Sequence, residues 1–257
     1  MKLLVKQLKL SNLSLLIRNT LKINPVDVVT FNIKKSSISD AFAWRTDNGY
    51  KTIFKFSDVL NLFYKIKKSK INIEFYNKEN KFIKKIKIRS LKLSNQLLID
   101  KKFFNGLESF GVFYVYHQAN IGFDSEDSIS NKCYLGYSLN NNLFSFVHGN
   151  TLSKHKPINS NNLTTNTDPV QMSLLKNQNY KIQKYFIDYD KNELMFCNPT
   201  RSNIDFDIDN KKYFLKKGCS QILTFKNTTT INIKSNCMFL RPTIFSYKDK
   251  FIDVHHG

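Results

Sequence analysis

A chain of 257 residues with 41% hydrophobic content, 22 Phe and 12 Tyr excludes a disordered tail and is long enough to bury one large core or two smaller ones. Its formal net charge is +20, but only five of its 40 basic residues are Arg, so Lys, a flexible point charge, dominates and bidentate base or phosphate recognition is disfavoured. No run of about 18 apolar residues occurs, which excludes a conventional membrane helix.

In chain order, the Leu3–Ile17 region fits neither a helical nor a strand period. Trp44-Arg45-Thr46-Asp47-Asn48-Gly49-Tyr50 follows with the turn chemistry of a hairpin. Ser57-Asp58 ahead of Val59, Leu60, Leu62 and Phe63 offers an N-cap and an apolar stripe, predicting one short helix near 57–66. From there the period is two. Ile71, Ile73 and Phe75 alternate with polar residues, as do Ile86 and Ile88, then Ile204, Phe206 and Ile208, and finally Ile231 and Ile233. Each pattern predicts a strand with one face on a core and the other in water. Val112–Tyr116 and Phe144–Val147 are apolar throughout and predict central strands covered on both faces. With eight Gly and five Pro, the turns must rest on Asn, Asp and Ser.

The polar stretch 150–169, rich in Asn, Thr and Ser, reads as a linker or functional loop between an N-terminal unit, 1–149, and a C-terminal unit, 170–257. The flanks echo each other in pattern. Ile73–Asn77, Lys81–Ile88, Gln96–Ile99 and Gly111–His117 are matched in order by Leu194–Asn198, Ile204–Ile208, Gln221–Phe225 and Phe239–Tyr247. The expected fold is therefore all-β: an antiparallel sandwich or jelly-roll in two tandem related units.

Cys133, Cys197, Cys219 and Cys237 form no C-x-x-C pair, and three lie in or beside apolar runs. They predict free thiols in a reducing cytoplasm, in keeping with an N-terminus that lacks a secretory h-region. G-x-G-x-x-G, Walker-type and G-x-S-x-G motifs are absent, so phosphate-cradling loops and the hydrolase elbow find no support.

Three features carry candidate chemistry. The first is a set of aromatic strands ending on His117, His148 and His255-His256. If those ends meet, His117, His148, Asp253 and His255 could hold a divalent metal; with no local ligand spacing, structural histidines are the simpler reading. The second is the Trp44–Tyr50 hairpin, where Trp44, Arg45, Asp47 and Tyr50 match the ring-plus-polar equipment of a sugar site. Its plain alternative is a core Trp with Arg45 pairing Asp47. The third is 120–142, an acidic and Asn-rich segment with Glu126 and Tyr137, held between His117 and His148.

Together these predict a binding protein for a carbohydrate or other small polar ligand, with no obligatory cofactor. A metal- or acid/base-dependent enzyme is the alternative, and a non-specific nucleic-acid binder the second. The Lys excess predicts salt-sensitive adhesion to polyanions. The sequence specifies no oligomeric state.

Overall fold

A computed structural model describes residues 12–21, 36–119, 128–130, 133–150, 152–158, 178–183, 188–226, 230–237 and 240–257. The first strands are β1 (Ser36–Asp40), β2 (Phe42–Arg45), β3 (Tyr50–Phe56), β4 (Lys70–Asn77), β5 (Phe82–Ile88) and β6 (Asn95–Ile99). Next come β7 (Phe110–Gln118), β8 (Ser128–Ser130), β9 (Tyr134–Leu139), β10 (Ser145–His148), β11 (Leu152–Pro157) and β12 (Gln178–Gln183). The last are β13 (Lys191–Cys197), β14 (Ile204–Ile208), β15 (Lys211–Leu215), β16 (Ser220–Phe225), β17 (Thr230–Ser235), β18 (Thr243–Lys248) and β19 (Phe251–His256).

Helices are short and peripheral. Helix α1 covers Asn12–Thr20, part of the N-terminal region whose period was ambiguous, and Leu13 and Leu16 on it are exposed. Helix α2, Val59–Tyr64, lies where the cap signal placed it. The Asp58 carboxylate accepts the Asn61 N–H at 3.1 Å, and Lys65 closes the helix in the left-handed region.

The strands form five sheets. Sheet I runs β2-β7-β4-β5, sheet II β10-β9-β3-β6 and sheet III β11-β1-β8; sheet IV runs β12-β17-β14-β15 and sheet V β16-β13-β18-β19. Sheets I, II, IV and V are antiparallel throughout, and sheet III contains the one parallel pair among the described strands, β1 with β8. No sheet mixes strands β1–β11 with strands β12–β19.

Sheets I and II close over an aromatic core. Phe42, Phe54 and Phe113 meet at centroid distances of 5.0–5.3 Å, and all three rings are fully buried. Sheet V is shared between two cores by strand parity. On β13, Leu194 and Phe196 face sheet IV with Ile204, Phe206, Ile231 and Ile244. Met195 and Cys197, with Phe245 and Val254, face the other way and join the core of sheets I and II. That double covering is why Leu194-Met195-Phe196-Cys197 is apolar without alternation.

The period-two segments divide by the same logic. On β14 and β17 the alternate residues Asp205, Asn232 and Lys234 are exposed, as their pattern predicts. On β4 they are not: Asn72 and Glu74 are buried along with Ile71, Ile73 and Phe75, and Lys156 of β11 reaches over that face to pair with Glu74. β7 is covered on both faces, as its apolar run predicts, but β10 is an edge strand with Phe146 exposed. The 150–169 stretch also departs from a simple linker, since Leu152–Pro157 within it pairs with β1; residues 159–169 lie outside the described part.

Turns rest on Asn and Asp. Of ten described non-glycine residues at positive φ, eight are Asn or Asp, including the Asp209-Asn210 hairpin joining β14 to β15. Asn77, which ends β4, and Asn198, which directly follows β13, each accept a backbone N–H from two residues on, at 3.1 and 2.9 Å. β4 pairs with β7 as β13 pairs with β18. The echo then diverges: β5 pairs with β4, whereas β14 belongs to sheet IV and β16 takes the place beside β13.

Candidate functional site

The hairpin residues separate by parity along β2. Trp44 points into the core of sheet I, fully buried, with its ring 4.5 Å from Phe104 and its indole N–H donating to the Tyr76 carbonyl at 3.0 Å. A ring so enclosed has no face to offer a sugar. Arg45 points the opposite way, toward sheet V. Its guanidinium donates to both Asp47 carboxylate oxygens, at 3.0 and 2.7 Å, and to Glu193 Oε2 at 2.6 Å. It also lies 3.9 Å over the Tyr50 ring and 4.7 Å from that of Phe245.

This network is complete in itself. Tyr247 Oη donates to Glu193 Oε2 at 2.6 Å, Tyr50 Oη donates to Tyr247 Oη, and Lys191 Nζ donates to Glu193 Oε1 at 2.8 Å. Tyr137 lies beside it, its ring 4.9 Å from Phe245 and its hydroxyl donating to the Ala43 carbonyl. Burial alone would raise the Glu193 carboxyl, but Arg45, helped by Lys191 and Tyr247, outweighs it and holds the group below the usual carboxylate range. The Tyr50 and Tyr247 hydroxyls are pushed up by burial and stay neutral. Arg45, Asp47, Tyr50 and Tyr137 therefore do come together, and what they hold is the β12–β19 half of the chain. Further hydrogen bonds cross the same boundary from Asn142 to the Lys250 carbonyl, from Asn150 to the Arg241 carbonyl and from Val254 N–H to Ser145 Oγ.

Of the strand-end histidines only His148 and His256 come together. His117 is buried near the end of β7, its backbone N–H donating to Ser37 Oγ at 2.9 Å. His148 is exposed at the end of β10 with its ring 4.5 Å from Tyr134. It neighbours His256, whose imidazole is pushed down to about 4 by burial, Arg241 and His148 against a raising hydrogen bond with the His148 backbone. Asp253 and His255 lie on the other face of β19, Oδ2 to Nδ1 3.6 Å. Among the described residues there is no group of three or more His, Cys, Asp or Glu placed to hold a metal ion, so His117, His148, Asp253 and His255 do not form one centre. Glu126 lies outside the described residues. The four cysteines are free; Cys133, Cys197 and Cys237 are buried and Cys219 is partly so, and burial raises all four thiols.

A different polar constellation sits on the face of sheet V that packs against sheet IV. Asn192, Ser246 and Asp253 are direct cross-strand neighbours on β13, β18 and β19. Asn192 and Ser246 are 0% exposed, and neither amide atom of Asn192 nor Ser246 Oγ finds a hydrogen-bond partner. Asp253 accepts from Tyr189 Oη at 3.0 Å and has His255 beside it, with side-chain exposures of 48% for Asp253 and 22% for His255. The row thus grades from the buried centre of the sheet to its open edge, across two strand spacings or about 10 Å. Leaving a buried amide or hydroxyl unpaired costs about 1–3 kcal/mol per group, so the fold carries these atoms at a cost.

Asp253 and His255 were legible as candidates; Asn192 and Ser246 were not singled out. Their signal is polar identity at core parity, two residues from Leu194 on one strand and from Ile244 on the other.

Neither the models of known protein families nor the curated proteins contain a match to this chain. Among solved structures, the major pilin protein (T3.2) of Streptococcus pyogenes is similar at 9% identity over 86% of this chain and 96% of the pilin, with a TM-score of 0.20. A similarity at that level carries neither fold nor function across. Among the described residues no helix is long and apolar enough to cross a membrane.

Proposed function

We propose that this chain is a β-sandwich binding protein for a small, neutral, polyhydroxylated ligand such as a monosaccharide. The single observation that carries the reading is the buried Asn192–Ser246 pair, whose amide and hydroxyl lack partners at the inner end of a polar row. A sugar hydroxyl both donates and accepts, so it complements this set: it accepts from the Asn192 amide, exchanges with Ser246 and donates to the Asp253 carboxylate. Tyr189 and His255 fix the outer end. The Arg45–Glu193 network serves as the brace that holds sheet V in register with sheets I and II. Two related units, the finer architectural reading, are supported by sheets that never mix the two halves and by the shared β4–β7 and β13–β18 pairing. The different partners of β5 and β14 weigh against a strict repeat.

Thermal unfolding across a panel of neutral monosaccharides and polyols tests this. One ligand class should raise the melting temperature of the wild type while leaving Asn192→Leu and Ser246→Ala unmoved. A panel that shifts nothing would assign the row to ordered water alone.

A further inference from the structure

A second surface, independent of the Asn192 row, lies on the outer face of sheet I. Glu74, 8% exposed on β4, accepts from Lys156 Nζ at 2.7 Å and pairs with Lys85 Nζ at 3.1 Å. Lys85 and Lys87 share one face of β5, opposite Glu74 and Asn72, and strand parity puts Lys70 on the same face of β4. On β11, Lys154 and Lys156 lie 5.9 and 4.3 Å from the rings of Tyr114 and Tyr116. Arg89 follows directly on β5. Lys85 and Lys156 thus pair with Glu74, and Lys70, Lys87, Arg89 and Lys154 extend the cationic face beyond them. Their mutual field is felt: Lys87, exposed, is held below the usual lysine range by Lys70 first, with Arg89 and Lys85 adding to it. β5 is the edge of sheet I, so the patch opens sideways.

We propose that this face docks a linear acidic polysaccharide, its sulfate or carboxylate groups lying along the exposed Lys85, Lys87 and Arg89. Two of those three cations are Lys, point charges suited to separate anionic groups rather than to bidentate base edges. Lys85 and Lys87 sit about 7 Å apart along the strand, so they engage successive groups of an extended chain. The neighbouring rings give a nucleic acid nothing to stack on. Tyr114 and Tyr116 are 5% and 1% exposed beneath their lysines, so bases find no stacking platform. The rival account is that lysines merely blunt an open sheet edge against aggregation.

Heparin is the probe, titrated calorimetrically into the intact chain. A Lys85→Gln/Lys87→Gln/Arg89→Gln variant should lose about tenfold or more in affinity. A control, Lys211→Gln/Lys212→Gln/Lys217→Gln, removes the same charge from exposed positions of the other half and should lose much less. A single-stranded oligonucleotide of matched charge should bind the wild type more weakly than heparin. Because Lys85 also pairs with Glu74, Lys87→Gln/Arg89→Gln serves where the triple variant does not fold. Equal losses in patch and control variants, or an oligonucleotide that binds as tightly as heparin, would overturn the proposal.

Discussion

Arg45 and Glu193, 148 residues apart in sequence, meet at 2.6 Å in the interior, where the Arg45 side chain is 1% exposed and that of Glu193 10%. One ends β2 and the other lies on β13, an inner strand of sheet V, so the pair ties together the two halves of the chain. Removing one partner leaves the other its remaining contacts, Asp47 for Arg45 and Lys191 with Tyr247 for Glu193. Glu193→Gln or Arg45→Met should therefore each cost about 2–3 kcal/mol, the range of a charged hydrogen bond, while the double variant Arg45→Met/Glu193→Gln should cost clearly less than the sum. Urea unfolding of the four proteins completes that cycle.

Trp44 is the only tryptophan and is fully buried. Its emission should be blue-shifted and insensitive to iodide in the folded protein, becoming quenchable on unfolding. Ligands of the Asn192 row should leave it unchanged, since the two sites lie in different cores. An iodide-accessible folded-state Trp would contradict the packing on Phe104.

Two groups tilt the pH dependence in opposite directions. Burial pushes Asp40 from 3.8 up to about 7, so between those values the folded state keeps a proton that the unfolded chain has released. Stability due to Asp40 therefore falls as pH rises through that window. His256 is pushed from 6.5 down to about 4, so the unfolded chain takes a proton that the folded one refuses, and stability falls as pH drops through its window. Urea midpoints at about pH 5 and about pH 7 should separate them: Asp40→Asn should lose stability toward acid relative to wild type, and His256→Gln should gain it. Below about 4.5, Glu74 and Glu193, both lowered in the folded state, should dominate, and stability should fall with further acidification.

The Asp209-Asn210 turn holds φ of 47° and 68°. Asn210→Val should cost about 1–2 kcal/mol in a thermal melt, because a β-branched side chain is strained there, whereas Asn210→Gly should be close to neutral.

The β content, helix α2 and the Asn/Asp turns were legible because each rests on a local pattern: alternation, a cap before an apolar stripe, residues that tolerate positive φ. β1 and β11 were not. Ser36-Ser-Ile-Ser-Asp40 and Leu152-Ser-Lys-His-Lys-Pro157 have no apolar face, and β1 is held by hydroxyls. Ser37 and Ser39 accept the backbone N–H of His117 and Val115, a long-range substitution that no local period reports. The pairing of Arg45 with Asp47 could be read from adjacency; its third partner, Glu193, could not. The histidines marked strand ends correctly, but only the ends of β10 and β19 meet, at His148 and His256, and position in the sequence does not say which strand ends will.

The most direct test of the polar row is the side-chain amide resonance of Asn192, followed by NMR during titration with the monosaccharide that gives the largest thermal shift. Saturable movement of the Asn192 Nδ2 protons, abolished in Ser246→Ala, is the predicted result. An Asn192 amide that stays fixed while surface resonances move would contradict a ligand site between sheets IV and V.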